Sequence, residues 1–392
     1  MPKLTLKDLD VKSKRVLVRV DFNVPLENGA VANDIRIRAA LPTINYLIEN
    51  QVRVILMSHM GRPKGKRDPK LQMDSVAEVL SRLLGREVKK IDSCVGPEAE
   101  KAAASLSEGD ILLLENLRFY PEETANDPEF ARQLAGLADI YVNDAFGTAH
   151  RAHASTAGVA EYLPSAMGFL IEKEVSIMGK ALEDPVRPFA AIIGGVKIAD
   201  KIGVLTNLLE KVDFILIGGG MANTFLKAKG FDMGASVVEE EKLEDALEII
   251  KLAQDRGVEL ALPVDVVAAG EISPDAERKV VPVDAVPSGM MALDIGPETA
   301  EKYAGMISRA RTVVWNGPMG VFEEDVFAKG TEAVARAVAE VETSIVGGGD
   351  SAAAVEKVGV SDRITHVSTG GGASLEFLEG KVLPGIAALT DK

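Results

Sequence analysis

The sequence predicts an α/β protein of two doubly wound, Rossmann-like parallel-sheet domains facing each other across a cleft and joined by a hinge helix. Three observations carry that expectation. Short, continuously apolar, β-branched runs alternate with amphipathic stretches, the pattern of strands buried on both faces of a parallel sheet. The alternation pauses once, near mid-chain, at a long helical stretch closed by Pro185 and Pro188, and then resumes. A chain of 392 residues is also longer than one hydrophobic core organises.

In order, 15–20 reads as a strand, 34–50 as a helix and 52–57 as the next strand. Then come a helix at 73–84, a strand at 111–114, a helix at 128–137 and a strand at 140–142. The pause is a helix at 167–182. A second series follows, with strands at 189–193, 214–217, 259–262, 312–315 and 344–346 and helices at 199–209 and 239–256. The domains are therefore expected at 1–166 and 189–379, with 167–188 as interdomain helix and hinge. The last dozen residues, 381–392, could finish the second domain or cross back to the first, and their own pattern does not choose; the expectation carried forward for about 380–392 is the return to the first domain. No sequence repeat relates the halves; only the architecture recurs.

Net charge is −15, which argues against nucleic acid or an anionic membrane as partner. Residues 1–166 hold 22 Lys and Arg against 23 Asp and Glu, leaving 22 and 36 for the remainder. The first half can thus commit cations to a small anion. No apolar run reaches membrane-spanning length and the first residues lack the apolar core of a secretory signal. Cys94 is the single cysteine, which excludes an internal disulfide and favours a reducing, cytoplasmic setting.

Ligands of parallel sheets gather beyond the carboxyl ends of the strands. In the first half those ends supply Asp21, Phe22 and Asn23, then His59, Met60, Gly61 and Arg62, then Arg118, then His150, Arg151 and His153, with Arg36 early in the intervening helix. Arginine forks converging on one rim suit a small, highly charged anion. Singly, each is equally well read as a solvated loop arginine; His153 reads better as a structural histidine.

In the second half the strand ends are glycine-rich: Gly194-Gly195 before Lys197 and Lys201, Gly218-Gly219-Gly220, Asn316-Gly317 before Glu323, Gly347-Gly348-Gly349 before Asp350, Ser351 and Ala352, and Gly370-Gly371-Gly372. Glycine lets backbone N–H groups approach phosphate, and a helix start adds favourable dipole. Together these loops point to a nucleotide, although neither the P-loop nor the dinucleotide fingerprint is present. Asp350 is the candidate Mg2+ contact; its plainer reading is an N-cap for a helix starting near Ser351.

The stretches 19–25 (RVDFNVP), 58–63 (SHMGRP), 143–150 (NDAFGTAH), 315–322 (WNGPMGVF), 347–351 (GGGDS) and 368–375 (STGGGASL) resemble the phosphoglycerate kinase family, in family order and across nearly the whole chain. The resemblance implies 3-phosphoglycerate or 1,3-bisphosphoglycerate on Asp21, Phe22, Asn23, Arg36, His59, Met60, Gly61, Arg62, Arg118 and Arg151. It implies MgADP or MgATP on Gly195, Lys197, Lys201, Gly219, Gly220, Ala292, Leu293, Asn316, Glu323, Gly349, Asp350, Ser351 and Ala352, with Glu323 on the ribose. Arg36, Lys197, Gly371 and Gly372 would steady the migrating phosphoryl group, and the family implies a monomer. Val196 stands where the family usually has Ala and Ala292 where it usually has Gly; both add methyl groups beside the nucleotide. An oxidoreductase using a dinucleotide and a non-catalytic anion- or nucleotide-binding module are the competing readings. The missing dinucleotide fingerprint opposes the first, and the joint presence of Arg36, Lys197, Lys201 and Asp350 opposes the second.

Overall fold

A computed structural model describes residues 2–392. The chain forms two compact units, Met1–Ser176 with Val382–Lys392, and Ile177–Lys381.

The first unit is built on a six-stranded sheet with spatial order Lys89–Lys90, Ile111–Leu113, Arg53–Met57, Arg15–Arg19, Ile140–Asn143, Ser165–Met167. Every neighbouring pair is parallel. Residues two apart share a face, so Val16 and Val18 pack with Val54, Leu56, Ile111 and Leu113 into one core. Helix Ile35–Glu49 covers that face with Ile37, Ala40, Ile44 and Leu47, an apolar stripe at helical spacing. Helix Asp74–Leu84 adds Val76 and Leu80. The chain end belongs to this unit. Lys3 pairs with Asp391 at 2.7 Å, Leu4 N–H donates to Thr390 C=O at 2.9 Å, and the Asn143 side-chain amide donates to Gly385 C=O at 2.8 Å.

The second unit repeats the design with Glu259–Ala261, Phe214–Ile217, Phe189–Ile193, Thr312–Asn316, Thr343–Gly347 and His366–Val367, again all parallel. Its core joins Ala190, Ile192, Val313, Trp315 and Val346 to Tyr303, Val334 and Val338 of the covering helices. A separate three-stranded antiparallel sheet, Arg278–Pro282, Asp265–Ala269 and Met291–Ile295, has a register shift at Val267/Ala268.

Three expected helices differ in extent. The stretch 167–182 is not one helix: Ser165–Met167 is an edge strand paired with Ile140–Asn143, and the helix runs Phe169–Glu183. Gly168 is the junction: its N–H still donates to the Asn143 carbonyl at 2.8 Å while its C=O accepts the Glu172 N–H at 2.9 Å, and a Cβ there would lie 2.2 Å from Asp144 Oδ1. The division between the units falls within this helix, between Ser176 and Ile177. The helix expected from 199 begins at Ile202, since Glu239 Oε2 ties down the Ile198 N–H at 2.5 Å and holds the preceding loop. Glu239 itself is non-helical, and the helix expected from 239 runs Leu243–Asp255.

In each sheet the strand order reverses beside the first strand: between Arg15–Arg19 and Ile140–Asn143, and between Phe189–Ile193 and Thr312–Asn316. Crevices at such reversals are where open α/β sheets bind ligands.

Candidate active site

At the reversal of the first sheet, Asp21 accepts from Arg36 Nη1 at 3.1 Å, and the same nitrogen donates to Asn23 C=O at 3.0 Å. Asn23 Oδ1 accepts the Gly61 N–H at 2.9 Å, and Arg118 Nη1 donates to the Gly61 C=O at 2.7 Å. The loops after three different strands are thereby laced together. Beside them opens a hollow of about 590 Å³ lined by Arg62, Lys64, Arg118, Arg151 and His153. Burial, with Arg151 and Arg19 nearby, lowers the Arg118 guanidinium to about 10, so it stays charged at neutral pH. Burial and the surrounding arginines push His59 well below the usual histidine range, and similar causes bring His150 to about 4. Both imidazoles are neutral at pH 7.

Two residues expected to meet the ligand are committed to packing instead. Phe22 and Met60 put their side chains into the core, and the Met60 N–H and C=O both pair with Asn116. Gly61 likewise has both main-chain groups engaged, so it shapes the loop and presents Arg118. Sequence reasoning passed over Arg19, Lys64, Glu123 and Ser155. Arg19 was hidden because it lies inside an apolar strand, and is fully buried there.

The second sheet's reversal carries a pocket of about 470 Å³ lined by Gly195, Lys197, Asp200, Lys201, Asn316, Gly317, Gly349, Asp350, Ser351, Gly371 and Gly372, with Val196, Pro318, Gly348 and Leu375 completing the wall. Gly317 has φ of 98°, and a Cβ there would lie 2.3 Å from the Gly194 carbonyl. Only glycine allows the two strand-end loops to touch. The Lys201 ammonium donates to Asn316 Oδ1, while Asn316 Nδ2 donates to Gly347 C=O at 2.9 Å. Burial lowers Lys201 to about 8. Ser351 Oγ accepts the Gly317 N–H at 2.6 Å, fastening the helix Gly349–Val358 to the neighbouring loop.

Asp350 lies in that helix's first turn, exposed; the N-cap is Gly348, so the capping reading of Asp350 does not hold. The amides of Gly349, Asp350 and Ser351 precede the first intrahelical bond, whereas Ala352 N–H already donates to Gly348 C=O at 3.0 Å and has nothing left for a phosphate. Gly195 and Gly219 also use their N–H groups internally, on Pro318 and Met319 carbonyls at 3.1 and 3.0 Å. Gly219, Ala292 and Leu293 line a smaller hollow with Asn223, Asp294 and Met319. Gly220 faces Val196, and Glu323 is exposed and lines neither of the two hollows. Among the described residues no group of three His, Cys, Asp or Glu side chains is placed to hold a metal, and no helix is long and apolar enough to cross a membrane.

Two parallel-sheet units, one offering arginine forks and the other a glycine-framed helix start with a desolvated lysine, have the fold and the cationic, amide-rich hollows of the α/β proteins that handle phosphorylated ligands. Sequence and structural relatives narrow the class. The family model described as phosphoglycerate kinase matches residues 6–381. Curated relatives called phosphoglycerate kinase are 67% identical in Moorella thermoacetica and 60% identical in Pelotomaculum thermopropionicum, each over 100% of both chains. The phosphoglycerate kinase of Coxiella burnetii superposes with a TM-score of 0.91 at 46% identity, over 99% of this chain and 98% of that one. That of Pyrococcus horikoshii OT3 gives 0.87 at 37%, over 98% of each. The chain belongs to the phosphoglycerate kinase family.

Proposed function

We propose that the two sites divide one reaction between them: reversible transfer of a phosphoryl group from 1,3-bisphosphoglycerate to MgADP, giving 3-phosphoglycerate and ATP, the glycolytic reaction EC 2.7.2.3. The observation that carries this assignment of residues is the separation of chemistry, with guanidinium groups at one sheet reversal and first-turn amides with Lys201 at the other.

On the first unit Arg62, Arg118 and Arg151 neutralise the phosphoglycerate, with Asp21, Asn23 and His59 orienting it. On the second, the first-turn amides of Gly349, Asp350 and Ser351 and the Lys201 ammonium bind the nucleotide's phosphates. Phosphoryl transfer demands in-line placement and positive charge at the equatorial oxygens of the moving group. The bond from the acyl oxygen breaks as a terminal ADP oxygen bonds to phosphorus. Arg36 and Lys197, the latter exposed and on the pocket wall, supply charge to those oxygens, and the helix start at Gly371 and Gly372 adds its dipole. In-line transfer from one unit's ligand to the other's requires both to be brought together with water excluded; the 167–188 segment serves as hinge.

Magnesium fits the donor set. Asp350 offers an exposed carboxylate on the pocket wall, and nucleotide magnesium needs only one or two carboxylates besides phosphate oxygens and water. When bound, the ion neutralises phosphate charge. The protein is assigned to the cytoplasm and to a monomeric state.

Calorimetric titrations with 3-phosphoglycerate and with MgADP, each alone, test the division. One site for each ligand is expected, the first weakened steeply by salt. Competition between the two ligands for one site would reject it.

A further inference from the structure

Beneath the basic hollow of the first unit lies a carboxylate that the substrate contacts leave unused. Glu123 sits on the short helix Pro121–Thr124, whose Pro121 and Thr124 line the hollow, and its side chain is fully enclosed. Its Oε2 accepts the Ser155 N–H at 2.9 Å and its Oε1 accepts the Ser155 O–H at 2.6 Å. With its proton given to Glu123, Ser155 Oγ serves as acceptor for Arg19 Nε at 2.9 Å. The same guanidinium donates to the Val20 carbonyl through Nη1 and meets His59 Nδ1 through Nη2 at 3.1 Å. A guanidinium keeps all its protons in a protein and has no acceptor. The last contact therefore has one sense: Arg19 donates and Nδ1 accepts. A neutral imidazole carries one N–H, so the ring's proton resides on Nε2.

We propose that Glu123 is a positioning residue, which through Ser155 and Arg19 holds His59 as its neutral Nε2–H tautomer, an oriented donor to the phosphoglycerate anion. The inference rests on reading this hollow as the phosphoglycerate site. Three further observations support it. Arg19 is fully buried, a place a cation keeps only with hydrogen bonds and a nearby counter-charge. Burial works against an ionised Glu123, yet His153, Arg19 and Ser155 hold its carboxyl below the usual glutamate range. His59 is nearly enclosed among Arg19, Arg118, Arg151 and Arg36, where a second proton is strongly disfavoured.

Full-length Glu123→Gln and Ser155→Ala variants test the relay. Long-range imidazole 15N correlations of the ligand-free protein report the His59 tautomer, and steady-state kinetics separate the two KM values from kcat. Wild type is expected to show the Nε2–H form, and both variants a mixture. The KM for 3-phosphoglycerate should rise about tenfold, as for a misplaced hydrogen bond, with kcat within about threefold and the KM for ATP unchanged. A purely electrostatic role has the opposite sign, since removing an anion from beneath a basic hollow tightens anion binding. A lowered KM in Glu123→Gln, an unchanged tautomer in both variants, or parallel losses in kcat and both KM values would overturn the proposal. Ser155→Ala keeps the carboxylate and cuts only the link, so it decides the matter if Glu123→Gln fails to fold. The ligand-free spectra are independent of the substrate assignment, which wild-type turnover of 3-phosphoglycerate in a coupled assay tests by itself.

Discussion

Lys201 sits where burial and phosphate recognition pull in opposite directions. Enclosure lowers its ammonium from 10.5 to about 8, and a bound phosphate restores the charged form. Nucleotide binding above pH 8 therefore takes up a proton, and ADP affinity should be flat below about pH 7.5 and then fall by up to tenfold per pH unit. Calorimetry in buffers of different ionisation enthalpy measures that uptake, and Lys201→Gln should abolish it. For stability the sign is separate. Between pH 8 and 10.5 the unfolded lysine holds more protons than the folded one, so this residue's contribution improves as pH rises through that window. Arg36 and Lys197 are tested by rate: replacing either with alanine should lower kcat roughly a hundredfold or more, as loss of a transition-state charge contact does. Near-normal turnover in a coupled assay would remove them from the chemistry. These side chains were legible because charged residues behind apolar strands stand out in a sequence. Arg19 and Glu123 were not, since the first is embedded in a strand and the second hides among Glu122, Glu129 and other surface-like acids; only the fold makes them buried partners.

Strands and helices were legible where both faces of a strand are buried, because such runs are continuously apolar. The antiparallel sheet of Asp265–Ala269, Arg278–Pro282 and Met291–Ile295 was missed although Asp265–Ala269 is itself largely apolar and mostly buried, because its partners lack such a run. Arg278–Pro282 opens on two charged residues and is exposed at four of its five positions, and Met291–Ile295 is interrupted by Asp294. Helix starts were misplaced where a distant side chain decides them, as Glu239 does at Ile198 and Asp144 does at Phe169–Glu183. Asp144 Oδ1 accepts the N–H groups of Leu170 and Ile171 at 2.8 and 3.4 Å; burial raises the carboxyl to about 7 against the opposing pull of the Thr43 hydroxyl and those two N–H groups. A folded-state value above 3.8 means stability is lost as pH climbs from about 4 to 7, by at most ~4 kcal/mol. Asparagine keeps the capping oxygen and removes the charge. Asp144→Asn should therefore be more stable than wild type at pH 8 and lose that advantage near pH 4, as urea denaturation at the two pH values will show. A difference that does not change with pH would mean the carboxyl is ionised at little cost.

At the scale of the whole molecule, two sheets of the same winding are made by stretches with no repeat between them, and the chain's end returns to the unit in which it began. Sequence offered no reason to favour that return over completion of the second unit, because 381–392 carries neither a strand-like run nor a long amphipathic stripe. Its attachment is by a few specific contacts: buried Leu383 and Leu389, Gly385 N–H on the Ala149 carbonyl at 2.8 Å, and the Asn143 amide on the Gly385 carbonyl. Burying two leucines is worth roughly 3–6 kcal/mol, and losing the Gly385 carbonyl leaves the buried Asn143 amide unpaired, a further cost of about 1–3 kcal/mol. Deleting 382–392 should loosen the first unit selectively. Hydrogen-exchange protection of Arg15–Arg19 should drop while that of Phe189–Ile193 holds, and 3-phosphoglycerate affinity should fall while MgADP affinity is kept. Asn143 ends the strand that frames the first sheet's reversal and its Oδ1 braces the Ala145 N–H at 3.1 Å, so the damage is expected to reach the loop that carries Arg151. Equal loss of protection in both sheets would show instead that the tail stabilises the two units as one cooperative body.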